Sequence, residues 1–343
     1  MSIKKLDKAT FDKWVEACIE KQPVYGVQAK GDRFAFASLV RAADLRLDYD
    51  VTLLPPKKIF QPPHETLLKF DRKEGFESVF ETEPFVVFGV HPYDMVAILQ
   101  IDKLFAQDHC DAHYMRRREQ ATIVVSDVQT ASPNVFAGCM GTATIDDGFD
   151  ILVTKIEDDY LVDIRTGKGE ALAETLKNAP DADEISLKLR KLLWAENAER
   201  LQKHKLDVRP DVLPKLLERS SEHPVWEEKA RLCYSCGSCV LVCPTCYCFD
   251  VQDDVDWTLQ KGQRQRILDG CLLTEFAAVA GGQNFRRHRR DRSRHRYYRQ
   301  GRYVPEKIGG EIACVGCGRC ITACTANIAN PVEVYNSLVY ERK

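Results

Sequence analysis

Two stretches of the sequence, CYSCGSCVLVCP at residues 233–244 and CVGCGRCITACT at residues 314–325, decide how the C-terminal part of the chain folds. Both have the spacing Cys-x2-Cys-x2-Cys-x3-Cys. Three thiols placed two residues apart wrap a short loop around a common centre, and the fourth lies beyond the reach of that loop. Two such runs predict two metal centres in one domain, each held mainly by thiolates.

This spacing is the one by which bacterial two-cluster ferredoxins hold [4Fe–4S] clusters, with each fourth cysteine serving the other cluster. We expect the fourth cysteine to begin a helix that leads away from its own loop. The predicted ligand sets are Cys233, Cys236 and Cys239 with Cys324, and Cys314, Cys317 and Cys320 with Cys243. Gly237 and Gly318 follow a middle cysteine, where positive φ and close approach of the backbone favour glycine. Thr325 replaces the proline that normally follows the fourth cysteine, but that proline is not a ligand.

Two other interpretations of the cysteines are weaker. Zinc sites use Cys-x2-Cys pairs, yet tandem four-cysteine runs favour clusters. Disulfide scaffolds are short and secreted, whereas eleven of these fourteen cysteines follow residue 232 and most have ligand spacing. Three more cysteines, Cys246, Cys248 and Cys271, lie between the two runs. They are either buried free thiols or ligands of a third cluster with an unidentified fourth ligand.

Length and composition predict a soluble cytoplasmic protein. The 343 residues suffice for about two domains. No apolar run approaches the roughly 18 residues of a membrane helix, and the charged N-terminus does not resemble a secretory signal. No Gly-x-Gly-x-x-Gly or Walker-type loop is present, so we expect neither a flavin nor a nicotinamide site on this chain.

The predicted fold class is α+β, with an α/β domain at residues 1–178, a helical connector at 179–227 and a two-cluster ferredoxin-like domain at 228–343. The last has a long insertion at about 246–312. Apolar spacing predicts a helix over 11–19, with Cys18 in the core, and another over 95–105. Strands are predicted at 51–54, 85–90, 122–126, 151–155 and 160–164, and an ordered loop at 55–63.

Residues 286–302 carry nine arginines and one aspartate, while the whole chain has a formal charge of −2. A basic run is typical of nucleic-acid binding. The arginines could instead pair with internal carboxylates, or surround anionic clusters and stabilise their reduced state. Tyr297, Tyr298 and Tyr303 at the end of the run favour packing within the fold, so binding to nucleic acid through Arg286–Arg302 is the weaker alternative.

The motifs resemble a known family, the β, iron–sulfur subunits of soluble NAD(P)-linked [NiFe] hydrogenases, also called sulfhydrogenases or sulfur reductases. The electron-input subunit of anaerobic sulfite reductase is similar at a greater distance. The landmarks are LDYDVTLLPPKKIF (47–60), FGVHPYD (88–94), GTATIDDGFDI (141–151), HPVW (223–226), AGGQNFR (280–286), DRSRHRYY (291–298) and the two cysteine runs. The resemblance implies an electron-transfer subunit that connects the small and large [NiFe] hydrogenase subunits to a flavin-containing NAD(P)H diaphorase subunit. A reductase catalytic subunit is the alternative partner.

The sequence also departs from this family. The resemblance implies cysteines of an additional N-terminal cluster at the positions that here hold Tyr93, Val128, Val135 and Ala137. Cys139 lies at a non-ligand position and Cys110 has no evident partners. We therefore predict that the N-terminal domain is a cluster-free docking scaffold. The family often has Cys or His at the position of Arg299, so this chain lacks that candidate fourth ligand for a third cluster.

A self-contained enzyme is the remaining hypothesis. His64, His91 and His113 are candidate acid–base groups by residue type alone. None has partners that can be identified from the sequence, so we predict structural roles for them and assign no catalytic residue.

Overall fold

The structure, a computed structural model, describes residues 2–81, 83–310 and 312–340. The strands in these residues are β1 (Ser2–Leu6), β2 (Val24–Lys30), β3 (Arg33–Ser38), β4 (His64–Asp71), β5 (Gly75–Ser78), β6 (Phe85–Val90), β7 (Ala121–Ser126), β8 (Ile151–Ile156), β9 (Asp159–Ile164), β10 (Phe249–Val255) and β11 (Lys261–Leu268). The longer helices are α1 (Lys8–Lys21), α3 (Pro92–Ala106), α4 (Ala112–Gln120), α7 (Glu184–Arg200), α9 (Val225–Leu232), α11 (Arg289–Tyr298) and α14 (Pro331–Val339).

Seven helices of the described residues are shorter: α2 (Lys57–Phe60), α5 (Ala137–Met140), α6 (Gly167–Leu172), α8 (Leu213–Glu218), α10 (Ser238–Leu241), α12 (Val304–Lys307) and α13 (Arg319–Thr322). One turn of π-helix, Arg299–Tyr303, continues directly from α11. π-Helical turns are rare and often mark functional sites. This one lies beside the cysteine motifs.

A seven-stranded mixed sheet forms the N-terminal part, in the order β1-β9-β8-β7-β6-β2-β3. Strands β2, β6, β7 and β8 are parallel neighbours, and the outer pairs are antiparallel. Every residue of β6 is buried, because both faces are covered. Val86 and Phe88 point into the cluster under α1, whereas Phe85 and Val87 point into the cluster under α3 and α4.

A second sheet, of four antiparallel strands, has the order β10-β11-β4-β5. Strands β10 and β11 come from the insertion between the cysteine motifs, and β4 and β5 come from residues 64–78. Strand β11 pairs with β4 from Lys261↔Asp71 to Ile267↔His64. The two sequence regions therefore share one hydrogen-bonded sheet.

An aromatic core joins the connector to the C-terminal part. Trp226 of α9 contacts Tyr297 and Tyr298 of α11, and Tyr335 of α14 packs edge-on against Tyr297. The Tyr335 hydroxyl donates to the Tyr297 carbonyl over 3.1 Å. This core fixes α11 against the cysteine motifs, as the tyrosines of the arginine run predict.

Most predicted elements are present in the structure. The helices over 11–19 and 95–105 correspond to α1 and α3, Cys18 is buried, and four predicted strands correspond to β6, β7, β8 and β9. The strand predicted at 51–54 is wrong, since only Thr52 bridges to Phe34 there. The loop predicted at 55–63 contains the short helix α2. Pro56 precedes this helix with φ −60, an angle that suits a helix start.

Candidate metal centres

The first three cysteines of motif one line a cavity together with the last cysteine of motif two. Its thiols are those of Cys233, Cys236, Cys239 and Cys324. We call this cavity A. The predicted crosswise partner Cys324, 81 residues beyond Cys243 in the sequence, lies on its wall.

A second cavity, called cavity B, is lined by the thiols of Cys314, Cys317, Cys320 and Cys243. Arg296 and Tyr297 of α11 line both cavities and therefore lie between them. In the described residues, no three His, Cys, Asp or Glu side chains converge on a position for one metal ion. Thiols spread around a cavity suit a cluster, in which each thiolate binds a different iron.

Local backbone geometry explains why each motif curls around its cavity. Gly237 and Gly318 both have φ +77, as predicted, and precede the short helices α10 and α13. Ser235 and Gly316, at equivalent positions of the two motifs, also have positive φ. The helix prediction for the fourth cysteine is wrong. The helix instead carries the third cysteine and ends before the fourth, so the chain is already turning away when it reaches Cys243.

The two cavities differ in exposure. Cys317 and Cys320 of cavity B are buried, and burial raises the pKa of these thiols to about 11 and about 12. In cavity A, burial also raises the pKa of Cys239, but Cys236 is exposed, and hydrogen bonds from Ser238 lower its pKa. Cluster ligands must be thiolates, so loading cavity B has to displace protons that its apolar surroundings otherwise retain.

The three remaining C-terminal cysteines lie close to cavity B. Cys243 and Cys246 are close neighbours, and their interaction lowers the pKa of Cys243 and raises that of Cys246; Cys248 and Cys271 form a similar pair, in which the pKa of Cys248 is lowered and that of Cys271 is raised. Gln300, in the π-helical turn, donates to Cys246 Sγ over 3.3 Å and to Cys243 Sγ over 3.8 Å. A third cluster at these cysteines stays an untested alternative to buried free thiols.

A buried lysine from the N-terminal part faces these thiols. Lys57 of α2 is 1% exposed, and its Nζ has no hydrogen-bond partner among the described residues. Burial lowers its pKa, while the thiols of Cys246, Cys243 and Cys248 act in the opposite direction. A buried ammonium group without an acceptor needs a nearby negative charge to be stable.

The four positions at which the resemblance implies additional cysteines converge in space. Tyr93, Val128, Val135 and Ala137 belong to one buried apolar cluster, which also contains Cys317 of cavity B. Apolar and aromatic groups thus fill the space beside cavity B. Cys139 lies apart from that cluster, where its thiol donates to the Phe136 carbonyl over 3.1 Å, and Cys110 is exposed.

The arginines of residues 286–302 have different partners in the structure. Arg292 is buried and donates to the Leu272, Arg286 and Arg287 carbonyls and to Ser235 Oγ. Arg294 and Arg302 pair with carboxylates, those of Glu222 and Glu218 among them. Arg299 contacts the Tyr247 hydroxyl, and Arg296 faces the cavities. Arg287, Arg289 and Arg290 are exposed. Binding of nucleic acid by this run stays an untested alternative.

The three candidate histidines have structural partners. His91 is buried, stacks on Tyr49 at 3.9 Å between ring centroids and lies 2.6 Å from the Tyr93 hydroxyl. His64 contacts Gln265, and His113 contacts the Leu67 carbonyl. None of these contacts forms an acid–base pair with a nucleophile.

No helix in residues 2–81, 83–310 and 312–340 is long and apolar enough to cross a membrane.

Comparisons with known proteins agree with the cysteine geometry. A family model described as a 4Fe-4S dicluster domain matches residues 232–328, which contain both motifs and the insertion. Sulfhydrogenase 2 subunit beta of Pyrococcus furiosus is 34% identical over 328 residues, covering 94% of this chain and 95% of that protein. Similarity of this extent includes the N-terminal sheet as well as the cysteine motifs. The chain therefore belongs to the family of sulfhydrogenase β subunits, and its residues 232–328 form a 4Fe–4S dicluster domain.

Proposed function

We propose that this chain is the electron-transfer subunit of a hydrogenase complex and relays single electrons through two [4Fe–4S] clusters. One is held by Cys233, Cys236, Cys239 and Cys324, and the other by Cys314, Cys317, Cys320 and Cys243. The observation that carries the proposal is that each set of four thiols lines its own cavity and that the two cavities share a wall. A bound cluster supplies reversible one-electron chemistry.

The side chains around the cavities bind and shield the clusters. The thiolates hold the irons, and the buried residues around cavity B exclude water from it. Gln300 donates to Cys243 Sγ, and hydrogen bonds to ligand sulfurs are one of the factors that set a cluster's potential. In this proposal the chain supplies binding and charge, and substrate chemistry belongs to its partners.

The difference in exposure between the two cavities indicates where electrons enter or leave the chain. Cys236 is exposed and its neighbour Tyr234 is 72% exposed, so a cluster in cavity A would lie near the surface. Cavity B is buried against the N-terminal sheet domain. We propose that electrons pass to or from one of the partner subunits through the exposed edge of cavity A.

The proposed partners are the small and large subunits of a [NiFe] hydrogenase, together with a flavin-containing NAD(P)H diaphorase subunit. Support comes from the similarity, along almost the whole chain, to a sulfhydrogenase β subunit. In the purified native complex, hydrogen or NAD(P)H should reduce the clusters. A complex in which sulfite reoxidises the clusters, and neither hydrogen nor NAD(P)H reduces them, would assign the chain to a sulfite reductase instead.

Paired cysteine substitutions test the ligand sets. In the crosswise arrangement, Cys236→Ala with Cys324→Ala damages one cluster and costs about four irons, whereas Cys317→Ala with Cys324→Ala damages both and costs about eight. If each motif held its own cluster, the two results would be exchanged. Cys110→Ala is the control, because this thiol is exposed and belongs to neither cavity lining. Iron is counted after anaerobic reconstitution.

A further inference from the structure

The guanidinium group of Arg296 lies between the two cavities. Arg296 is 6% exposed, and it lines cavity A beside Cys239 and cavity B beside Cys320. Its position follows from α11, which the aromatic core holds against both motifs. Of the described residues, only Arg296 and the adjacent Tyr297 are shared between the linings of cavity A and cavity B.

Arg296 also differs from its neighbours in the same run by its partners. Arg292 is bound by backbone carbonyls, and Arg294 and Arg302 are paired with carboxylates. In the part of the chain that the structure describes, no carboxylate pairs with Arg296. Its close contact is a cation–π interaction with the Tyr297 ring at 4.7 Å.

A guanidinium group buried without an anion carries a large desolvation penalty. A [4Fe–4S] cluster with four thiolate ligands is an anion, and reduction adds one more negative charge to it. A fixed positive charge beside such a cluster stabilises the reduced state more than the oxidised state. It therefore raises the cluster's reduction potential, and a low local dielectric strengthens the effect.

We propose that Arg296 is the shared counter-charge of the two clusters, raising both reduction potentials and offsetting the repulsion between two reduced clusters. This inference rests on the proposed function, since it requires a cluster in each cavity. Arg296 is a positioning residue in this scheme, because it neither binds iron nor transfers the electron. One cation between two clusters raises the reduction potential of each, so a single substitution acts on both.

Potentiometric titration monitored by electron paramagnetic resonance tests the proposal in the full chain. Arg296→Gln removes the charge, Arg296→Lys keeps it, and Arg289→Gln removes an exposed arginine from the same helix. We expect Arg296→Gln to lower the reduced-to-oxidised ratio of both clusters about tenfold at a fixed potential, which is about 59 mV for a one-electron couple. Arg296→Lys should retain most of the parent ratio, and Arg289→Gln should match the parent.

Unchanged potentials in Arg296→Gln, or a shift in only one cluster, would overturn the proposal. If Arg296→Gln loses iron while Arg296→Lys retains it, the charge itself holds the anionic clusters and the proposal stands. Loss of iron in both variants would show a role in packing and overturn it. The iron content of the parent protein is a separate readout. Fewer than about eight irons there contradicts the proposed function rather than this inference.

Discussion

Arg319, in the second cysteine motif, and Asp94, in the first turn of α3, form a bidentate ion pair with both N–O distances at 2.7 Å. The side chains are 2% and 0% exposed. Arg319 also donates to the carbonyl and hydroxyl oxygens of Thr52. This pair connects the N-terminal sheet domain to the loop that lines cavity B.

Asp94→Asn should destabilise the protein strongly. The substitution keeps the shape of the side chain but leaves the Arg319 guanidinium buried without its counter-ion, a change that typically costs about 3–5 kcal/mol. The measurement is the free energy of unfolding in denaturant under anaerobic conditions. Asp211→Asn is the control, because its partner Arg209 is 82% exposed and such surface pairs contribute little to stability. Similar losses in the two variants would contradict a structural role for the buried pair.

Gly318→Ala should be more harmful than Gly237→Ala. Both glycines have φ +77, so alanine suffers the same backbone strain of about 1–2 kcal/mol at either position. A Cβ at Gly318 would lie 2.3 Å from the Asn134 carbonyl oxygen, whereas at Gly237 it would lie 3.0 Å from the flexible Leu273 side chain. Overpacking against the backbone should add about 1–3 kcal/mol to the loss for Gly318→Ala.

Chemical unfolding of the two variants measures this difference, since the strain common to both cancels. Equal losses would mean that motif two does not pack against residues 134–137 as tightly as the structure shows. Iron content should follow the same order, with Gly318→Ala losing metal from cavity B.

The purified chain should contain about eight irons, because Cys246, Cys248 and Cys271 lack an identified fourth protein ligand. Cys271→Ala should therefore leave the iron content unchanged, whereas Cys320→Ala should lower it by about four. About twelve irons in the parent and about eight in Cys271→Ala would establish a third cluster beside Lys57. Additional ligands mapping before residue 200 would instead contradict a cluster-free N-terminal domain.

Stability should fall in mild acid through His295. Burial and the nearby Arg286 lower the pKa of His295 from 6.5 to about 4. The unfolded chain thus binds a proton that the folded chain does not, and stability present above pH 6.5 is lost as the pH falls toward 4. The slope is at most about 1.4 kcal/mol per pH unit, and lower here because the ring is partly exposed.

His295→Gln should flatten this part of the pH profile. The measurement is the difference in free energy of unfolding between parent and variant at pH 7.5 and pH 5, since acid effects on the clusters are common to both. A difference that does not change with pH would exclude a contribution from His295.

The local sequence pattern was sufficient to predict the strands and helices whose burial follows from the order of their apolar residues. The β6 run is continuously apolar, and α1 has apolar residues on one face, so burial follows directly from residue order. Cysteine spacing alone brought Cys324 into a set with Cys233, because the ferredoxin pattern carries long-range information. The helix before Cys243 was placed wrongly, since the positive φ of Gly237 starts that helix earlier than the cysteine pattern suggests.

Other features depend on contacts that no local pattern reports. All seven residues of β10 are exposed although apolar residues recur at alternate positions, so pairing with β11 rather than burial of one face holds this strand. In the sequence, Lys57 is one of two adjacent lysines that would be expected to lie in solvent. Only the fold places α2 against the thiols. Arg296 is one of nine arginines in its run, and only the position of α11 distinguishes it from the exposed ones.

The sheet that β10 and β11 share with β4 and β5 has a practical consequence for dissecting this protein. Expressing residues 228–343 alone would leave the edge of β11 without the strand it pairs with, and an unpaired edge invites aggregation. The N-terminal fragment would expose the complementary edge of β4. The part of the chain that carries both cysteine motifs is thus not expected to fold well as an isolated fragment. A shortened protein would have to retain residues 64–78, for example by fusing that hairpin to the C-terminal fragment.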